Sequence, residues 1–266
     1  MCAITGATQD SAQKNTEMFD VKYADMLSRY VDDRGMVNYG SLKRDAVTIN
    51  GVTSALSEIR KSEYNPLSEK EKTAFLINAY NFLTIKTIID NYPIKSSFLM
   101  SVRFPKNSIR QISGIWDEIR HTVLEEMMTL NHIEHDILRV EFNEPGIHLA
   151  LVCAAMGCPP LRNEPYNGAR LDEQLADQTR TFAADRSKFR IDKQAGVVYL
   201  SSIFKWYGGD FIKRFDTANA FRGQNPAVRA VLNYLAPYVH PADKTFLLNG
   251  SYKISYLDYD WELNTQ

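Results

Sequence analysis

Apolar residues recur at helical spacing along the first third of the chain. The first set that predicts a helix is Phe19, Tyr23, Met26, Leu27 and Tyr30. A turn at 33–35, which contains aspartate, arginine and glycine, closes that helix. A second helical pattern runs through Val52, Leu56 and Ile59.

The next predicted helix is the most apolar of the chain. Ser68 and Glu71 form a capping box at its start, and Pro93 stops it. Apolar residues cover nearly its whole circumference, so we expect the helix to be buried. Asn78 and Asn81 lie three positions apart on one face of it. A buried amide without a partner costs roughly 1–3 kcal/mol, so both side chains must form hydrogen bonds.

Shorter elements follow in the second half. Thr129 can cap a helix over Leu130–Arg139, and a continuous apolar run over Ile147–Cys153 predicts a central, buried strand. Further patterns predict helices over Leu171–Phe182 and from Pro226, a hairpin of Phe189–Ile191 with Val197–Leu200, and a late strand over Tyr252–Tyr256. Few strands among many helices favour an α+β fold, mostly helical, with a small and largely antiparallel sheet. We expect a single domain over residues 17–266, after a flexible N-terminal tether at 1–16.

Composition narrows the classes of function. The 266 residues include 44% hydrophobic and 24% charged residues, as in an ordinary globular protein. The formal net charge is −1, so the overall balance favours neither a nucleic-acid partner nor an anionic membrane surface. No apolar run is long enough for a transmembrane segment. Three cysteines are too few for a disulfide framework.

The N-terminus carries a cysteine of a different kind. Cys2 precedes the stretch Thr5–Thr16, which is rich in Ser, Thr, Gln and Asp. A mature lipoprotein begins with a cysteine and a linker of this sort, so Cys2 is a candidate lipid anchor. The sequence then indicates an exported protein, periplasmic or lipid-anchored, whose signal is missing. An ordinary N-terminus of a cytoplasmic protein is the alternative.

The candidate chemistry centres on Cys158, which lies between Gly157 and Pro159. Proline disfavours the helical conformation of the residue before it, so we expect Cys158 at a stiff, extended corner. We predict that Cys158 is a nucleophile, that His148 is its general base and that Glu134 orients the imidazole. Such a Cys–His–Glu triad has the reverse chain order of papain-like enzymes, and triads are recognised by geometry.

An oxyanion would need donors other than the two prolines after Cys158, which have no N–H. The backbone N–H of Cys158 is one candidate, and the side chain of Asn78 is the other. The remaining predicted substrate-binding residues are Asn81, Tyr80 and Arg162. We expect no cofactor.

Several long stretches resemble one family in the right order. They are Phe75–Ile85, Ile133–Arg139, Ile147–Arg162 and Leu200–Phe211. With them the chain resembles the domain of unknown function 547 family over nearly all its length after the tether. Some eukaryotic members look like fusions to glutaredoxin-type domains, and many bacterial members look exported. The resemblance therefore implies thiol or glutathione chemistry, and the triad order suggests similarity to circularly permuted papain-like or transglutaminase-like enzymes.

Three classes of function follow. The first is a cysteine-dependent hydrolase or acyltransferase acting on peptide or amide bonds. The second is a catalytically weak or redox-linked module that binds glutathione or a small peptide in the same cleft. The third is a metal site at His148 and the cysteines, which is the weakest because their spacing fits no zinc motif.

Structural roles are the alternatives for each residue. Cys153 is favoured as a core residue, and Cys158 and His148 could also simply pack. Glu134 could pair with Arg139 or Arg162. A Cys153–Cys158 disulfide is open, because the sequence does not give its geometry.

Overall fold

The computed structural model describes residues 5–217, 219–249 and 251–266, with side chains from residue 15 onward. The chain forms two compact units, and each is built from separate stretches. The first unit comprises the residues up to Phe142, Leu151–Leu171 and Trp261–Gln266. The second comprises Asn143–Ala150 and Asp172–Asp260.

Helices dominate the first unit. They are α1 (Thr5–Tyr30), α2 (Tyr39–Arg44), α3 (Ala46–Ser57), α4 (Lys61–Tyr64), α5 (Glu69–Asn91), α6 (Phe98–Ser101) and α7 (Arg139–Glu141). Shorter turns are the 3-10 segments Ile109–Gln111 and Gly168–Arg170 and the π-helical segment His132–Leu138. Strands β1 (His121–Val123) and β2 (Glu126–Met128) form an antiparallel hairpin with His121 opposite Met128.

The predicted N-terminal helices are confirmed. Helix α1 contains the predicted Phe19–Tyr30 pattern but begins at Thr5, so the described part of the predicted tether is helical. Cys2, the predicted anchor, lies outside the described residues. Among the described helices, none combines the length and apolar character that crossing a bilayer requires.

Helix α5 is the buried centre of the first unit. Its capping box is present, since the Ser68 side chain accepts from the N–H of Glu71 and the Glu71 carboxylate accepts from the N–H of Ser68. The residues of α5 are buried almost without interruption from Ala74 to Ile89. Aromatic rings of α1 pack edge-on against it, and Phe19 and Tyr23 lie 6.3 and 6.0 Å from Phe82 between ring centroids. Such pairs add about 0.5–1.5 kcal/mol to the burial of the rings.

The second unit combines a small sheet with helices. Its helices are α8 (Leu171–Ala184, in this unit from Asp172), α9 (Ser202–Tyr207), α10 (Ile212–Phe215), α11 (Pro226–Leu235) and α12 (Pro241–Asn249). Strands β3 (Phe189–Asp192) and β4 (Val197–Leu200) pair antiparallel, and β5 (Lys253–Tyr256) pairs parallel to β4. The core includes Phe182, Val198, Phe204, Phe211 and Leu232. The predicted hairpin, late strand and α+β class are confirmed.

The predicted strand over Ile147–Cys153 is wrong. Pro145–Leu149 forms a 3-10 turn, and the Glu144 carboxylate accepts the Gly146 N–H at 3.0 Å to cap it. The residues of the run are buried, except that Cys153 is partly exposed. The apolar character of the run reflects its burial. A short apolar run does not by itself distinguish a strand from another buried conformation. The prediction of one domain over residues 17–266 stays a prediction, and that range includes residues of both compact units.

A half-buried carboxylate couples α1 to α5. Asp20 Oδ1 accepts a hydrogen bond of 3.4 Å from Asn78 Nδ2. Burial raises the pKa of Asp20 to about 6, against the lowering effect of the Asn78 hydrogen bond, while Glu17 raises it further. The folded protein therefore binds this proton more tightly than the unfolded chain, whose ordinary pKa is 3.8.

Replacing Asp20 should remove a pH-dependent loss of folding stability. The stability that its protonation confers is complete below pH 3.8 and is lost as the pH rises through about 6. We expect Asp20→Asn to gain about 1–3 kcal/mol in unfolding free energy relative to the wild type between pH 4 and pH 7. Urea denaturation across that range measures the difference. Asp25→Asn is the control, because the Asp25 side chain is 61% exposed. A wild-type-to-variant difference that stays constant with pH would contradict the coupling.

Candidate functional site

The two cysteines of the first unit form a pair. Cys153 and Cys158 are joined by a disulfide, with their Cα atoms 6.2 Å apart. Cys158 is buried, 3% exposed, whereas Cys153 is partly exposed. The backbone N–H of Cys153 donates to Cys158 Sγ at 3.0 Å. In this state Cys158 carries no free thiol, so it becomes a nucleophile only after reduction.

The asparagines of α5 hold the segment that carries this pair. Asn81 Oδ1 accepts the N–H of Val152 at 2.8 Å, just before Cys153. Asn78 Oδ1 accepts the N–H of Tyr166, and its Nδ2 donates to the Tyr166 carbonyl, both at 2.8 Å. The expectation that both amides need partners is confirmed. We call residues 152–166 the cysteine segment, because α5 binds it at both ends.

Asn78 is thus fully engaged. One hydrogen of its amide is donated to Tyr166 and the other to Asp20, and the side chain is only 1% exposed. The predicted oxyanion role would require one of these N–H groups. We therefore assign Asn78 to positioning of the cysteine segment.

Close backbone packing supports the middle of the segment. Gly35 has φ of +76°, and a Cβ there would lie 2.5 Å from the backbone nitrogen of Leu161. A residue larger than glycine would therefore displace the chain just after the two prolines. On its other side the segment pairs with residues 262–264. Ala155 bridges Leu263, the Met156 N–H donates to the Glu262 carbonyl at 2.7 Å, and the Asn264 N–H donates to the Ala154 carbonyl at 3.3 Å.

His148 belongs to the second unit. Its Nε2 lies 2.8 Å from Asp210 Oδ2, and its side chain is 1% exposed. The ring stacks on Tyr207, with centroids 4.1 Å apart and planes at 15°. Helix α9 ends at Tyr207, and the 3-10 turn Gly208–Phe211 that follows it presents Asp210. The imidazole is therefore fixed in orientation by a ring and a carboxylate.

A carboxylate beside His148 is thus Asp210, whereas the sequence analysis assigned this role to Glu134, and that assignment stays a prediction. Glu134 lies in the π-helical segment of the first unit, is 6% exposed and has its Oε1 4.0 Å from His135 Nδ1. The sequence analysis missed Asp210 because it used that stretch only as part of the family resemblance. Its signal is an acid in the otherwise uncharged run 206–211, directly after the aromatic end of a helix.

The other predicted substrate-binding residues are paired with, or buried among, other residues of the protein. Arg162 Nη2 donates to Glu164 Oε1 at 2.6 Å, so it pairs with an internal acid. Tyr80 is buried in α5 and is 2% exposed. Of the predicted triad, Glu134 and Cys158 belong to the first unit and His148 to the second. Within the described part of the chain, no group of three or more His, Cys, Asp or Glu side chains could hold a metal ion.

Comparison with known proteins gives a match to a family model. No curated protein and no solved structure matches the chain. A family model matches residues 64–183, a stretch that begins in α4, spans α5 and the cysteine segment and ends in α8. His148 lies inside that match, and Asp210 lies beyond it. Over residues 64–183 the chain thus matches the model of the family described as "Protein of unknown function, DUF547", whereas the predicted resemblance at Leu200–Phe211 lies outside the matched stretch.

Proposed function

We propose that the protein acts through the Cys153–Cys158 pair, by thiol–disulfide exchange with a small thiol such as glutathione. The observation that carries the proposal is the disulfide itself, in a segment that α5 binds at both ends. One sulfur belongs to a partly exposed residue, and the other to a buried one that accepts a backbone N–H. This asymmetry assigns different roles to the two cysteines.

The exchange begins at the sulfur of the partly exposed residue. The thiolate of glutathione attacks Cys153 Sγ, a mixed disulfide forms there, and the bond to Cys158 breaks. Cys158 leaves as a thiolate, and the N–H of Cys153 that already contacts this sulfur favours the charge. A second glutathione thiolate attacks the mixed disulfide, oxidised glutathione leaves, and Cys153 takes a proton from water. The protein gains two electrons and two glutathione molecules lose them.

Single cysteine variants should reveal which of the two sulfurs reacts first with glutathione. In a Cys2→Ser background, reduced Cys158→Ser treated with oxidised glutathione should accumulate an adduct at Cys153, because no second thiol resolves it. Cys153→Ser should react roughly tenfold more slowly, because thiol exchange requires access to the sulfur. Mass spectrometry over time measures both rates.

The double variant Cys153→Ser/Cys158→Ser is the control and should bind no glutathione covalently. Equal rates for the two single variants would contradict the assignment of roles. A wild-type disulfide that persists in a large excess of reduced glutathione would contradict the exchange itself.

A further inference from the structure

One surface segment of the first unit combines cations with exposed apolar side chains. We call residues 95–110 the basic loop. Its charged residues are Lys95, Arg103, Lys106 and Arg110, and the sequence has no acid between Asp90 and Asp117. Three large apolar side chains point to solvent, with Phe98 86%, Leu99 81% and Val102 77% exposed.

The loop has a defined conformation. Ser97 caps α6 by accepting the Met100 N–H at 3.2 Å, and its own N–H donates to Gln111 Oε1 at 3.0 Å. Gln111 Nε2 donates to the carbonyl of Pro105 at 3.0 Å. A single side chain therefore ties both halves of the loop together, and α6 presents Phe98 and Leu99 from a fixed backbone.

Among the described residues, the arginine at the base of the loop forms no ion pair and contacts aromatic rings instead. Arg110 Cζ lies 4.6, 5.1 and 5.3 Å from the ring centroids of Phe104, Trp116 and Trp261. Its Nε is buried and has no hydrogen-bond partner among the described residues. Burial and the nearby Arg103 lower the pKa of Arg110. A phosphate group at this point would supply both a hydrogen-bond acceptor and a counter-charge.

These observations select the kind of partner. Single exposed apolar residues are normal on proteins, and Val47, 85% exposed, is one on this chain. Three such residues among four cations match the chemistry of a bilayer surface, where apolar side chains enter the acyl boundary and cations meet headgroup phosphates. The net charge of the whole chain is −1, so the attraction is local to the loop. We propose that the basic loop binds the surface of a bilayer that contains anionic phospholipid.

Vesicle sedimentation tests the proposal. Full-length Cys2→Ser protein, which carries no acyl chain, should sediment with vesicles of phosphatidylcholine mixed with phosphatidylglycerol and should stay in solution with phosphatidylcholine alone. Arg103→Ser and Lys106→Ser should each weaken binding roughly fivefold, the effect expected for one cation near an anionic surface. Phe98→Ser/Leu99→Ser should weaken it further, because the inserted apolar area is lost.

Matched controls are residues of the same unit outside the loop. Val47→Ser and Arg34→Ser change an exposed apolar residue and an exposed cation, and both should bind like the parent protein. Circular dichroism should show all variants folded, since the altered side chains are exposed. No sedimentation with either vesicle would overturn the proposal and favour an acidic protein partner. Equal binding to both vesicles, or binding that the loop variants leave unchanged, would also overturn it.

Discussion

A buried polar group must find a partner, and in this protein two asparagines meet that requirement in a way that places the cysteines. Asn78 and Asn81 lie in the otherwise apolar helix α5, where an unpaired amide would be costly. Their partners are backbone groups of Val152 and Tyr166, which no sheet satisfies. The cysteine segment is irregular apart from its short pairing with residues 262–264, so its conformation depends on these side chains as well as on that pairing. The geometry of the disulfide therefore depends on α5.

The local elements were predictable from sequence where one signal was strong. The capping box at Ser68 and the apolar residues around the whole circumference of α5 predicted a buried helix. The two asparagines within it predicted hydrogen bonds to other parts of the chain, because buried amides require partners. The run Ile147–Cys153 misled, because apolar character reports burial and not conformation. Asp210 could not be linked to His148, since 62 positions separate them and only the fold brings them together. The disulfide was equally inaccessible, because spacing in sequence does not give Cα separation.

The net charge of the chain likewise does not reveal the charge of one part of its surface. A net charge of −1 describes the whole chain, yet all the charges of the basic loop are positive. Whether such a stretch can meet a partner depends on exposure, which composition does not contain. The hydrogen bonds of Gln111 fix the conformation of the basic loop, and the apolar residues of this loop face solvent. The aromatic rings around Arg110 then hold a cation at the base of that surface.

The pairing of the cysteine segment with residues 262–264 has a consequence for synthesis. The whole stretch 172–260 lies between these partners, so closing the contact carries the entropy of a long loop. On the ribosome, Cys153 and Cys158 emerge well before Leu263 and Asn264 exist. The thiols of a nascent chain are thus unsupported on that side until translation has passed Asn264, and a cell that oxidises them earlier would do so in an incomplete first unit.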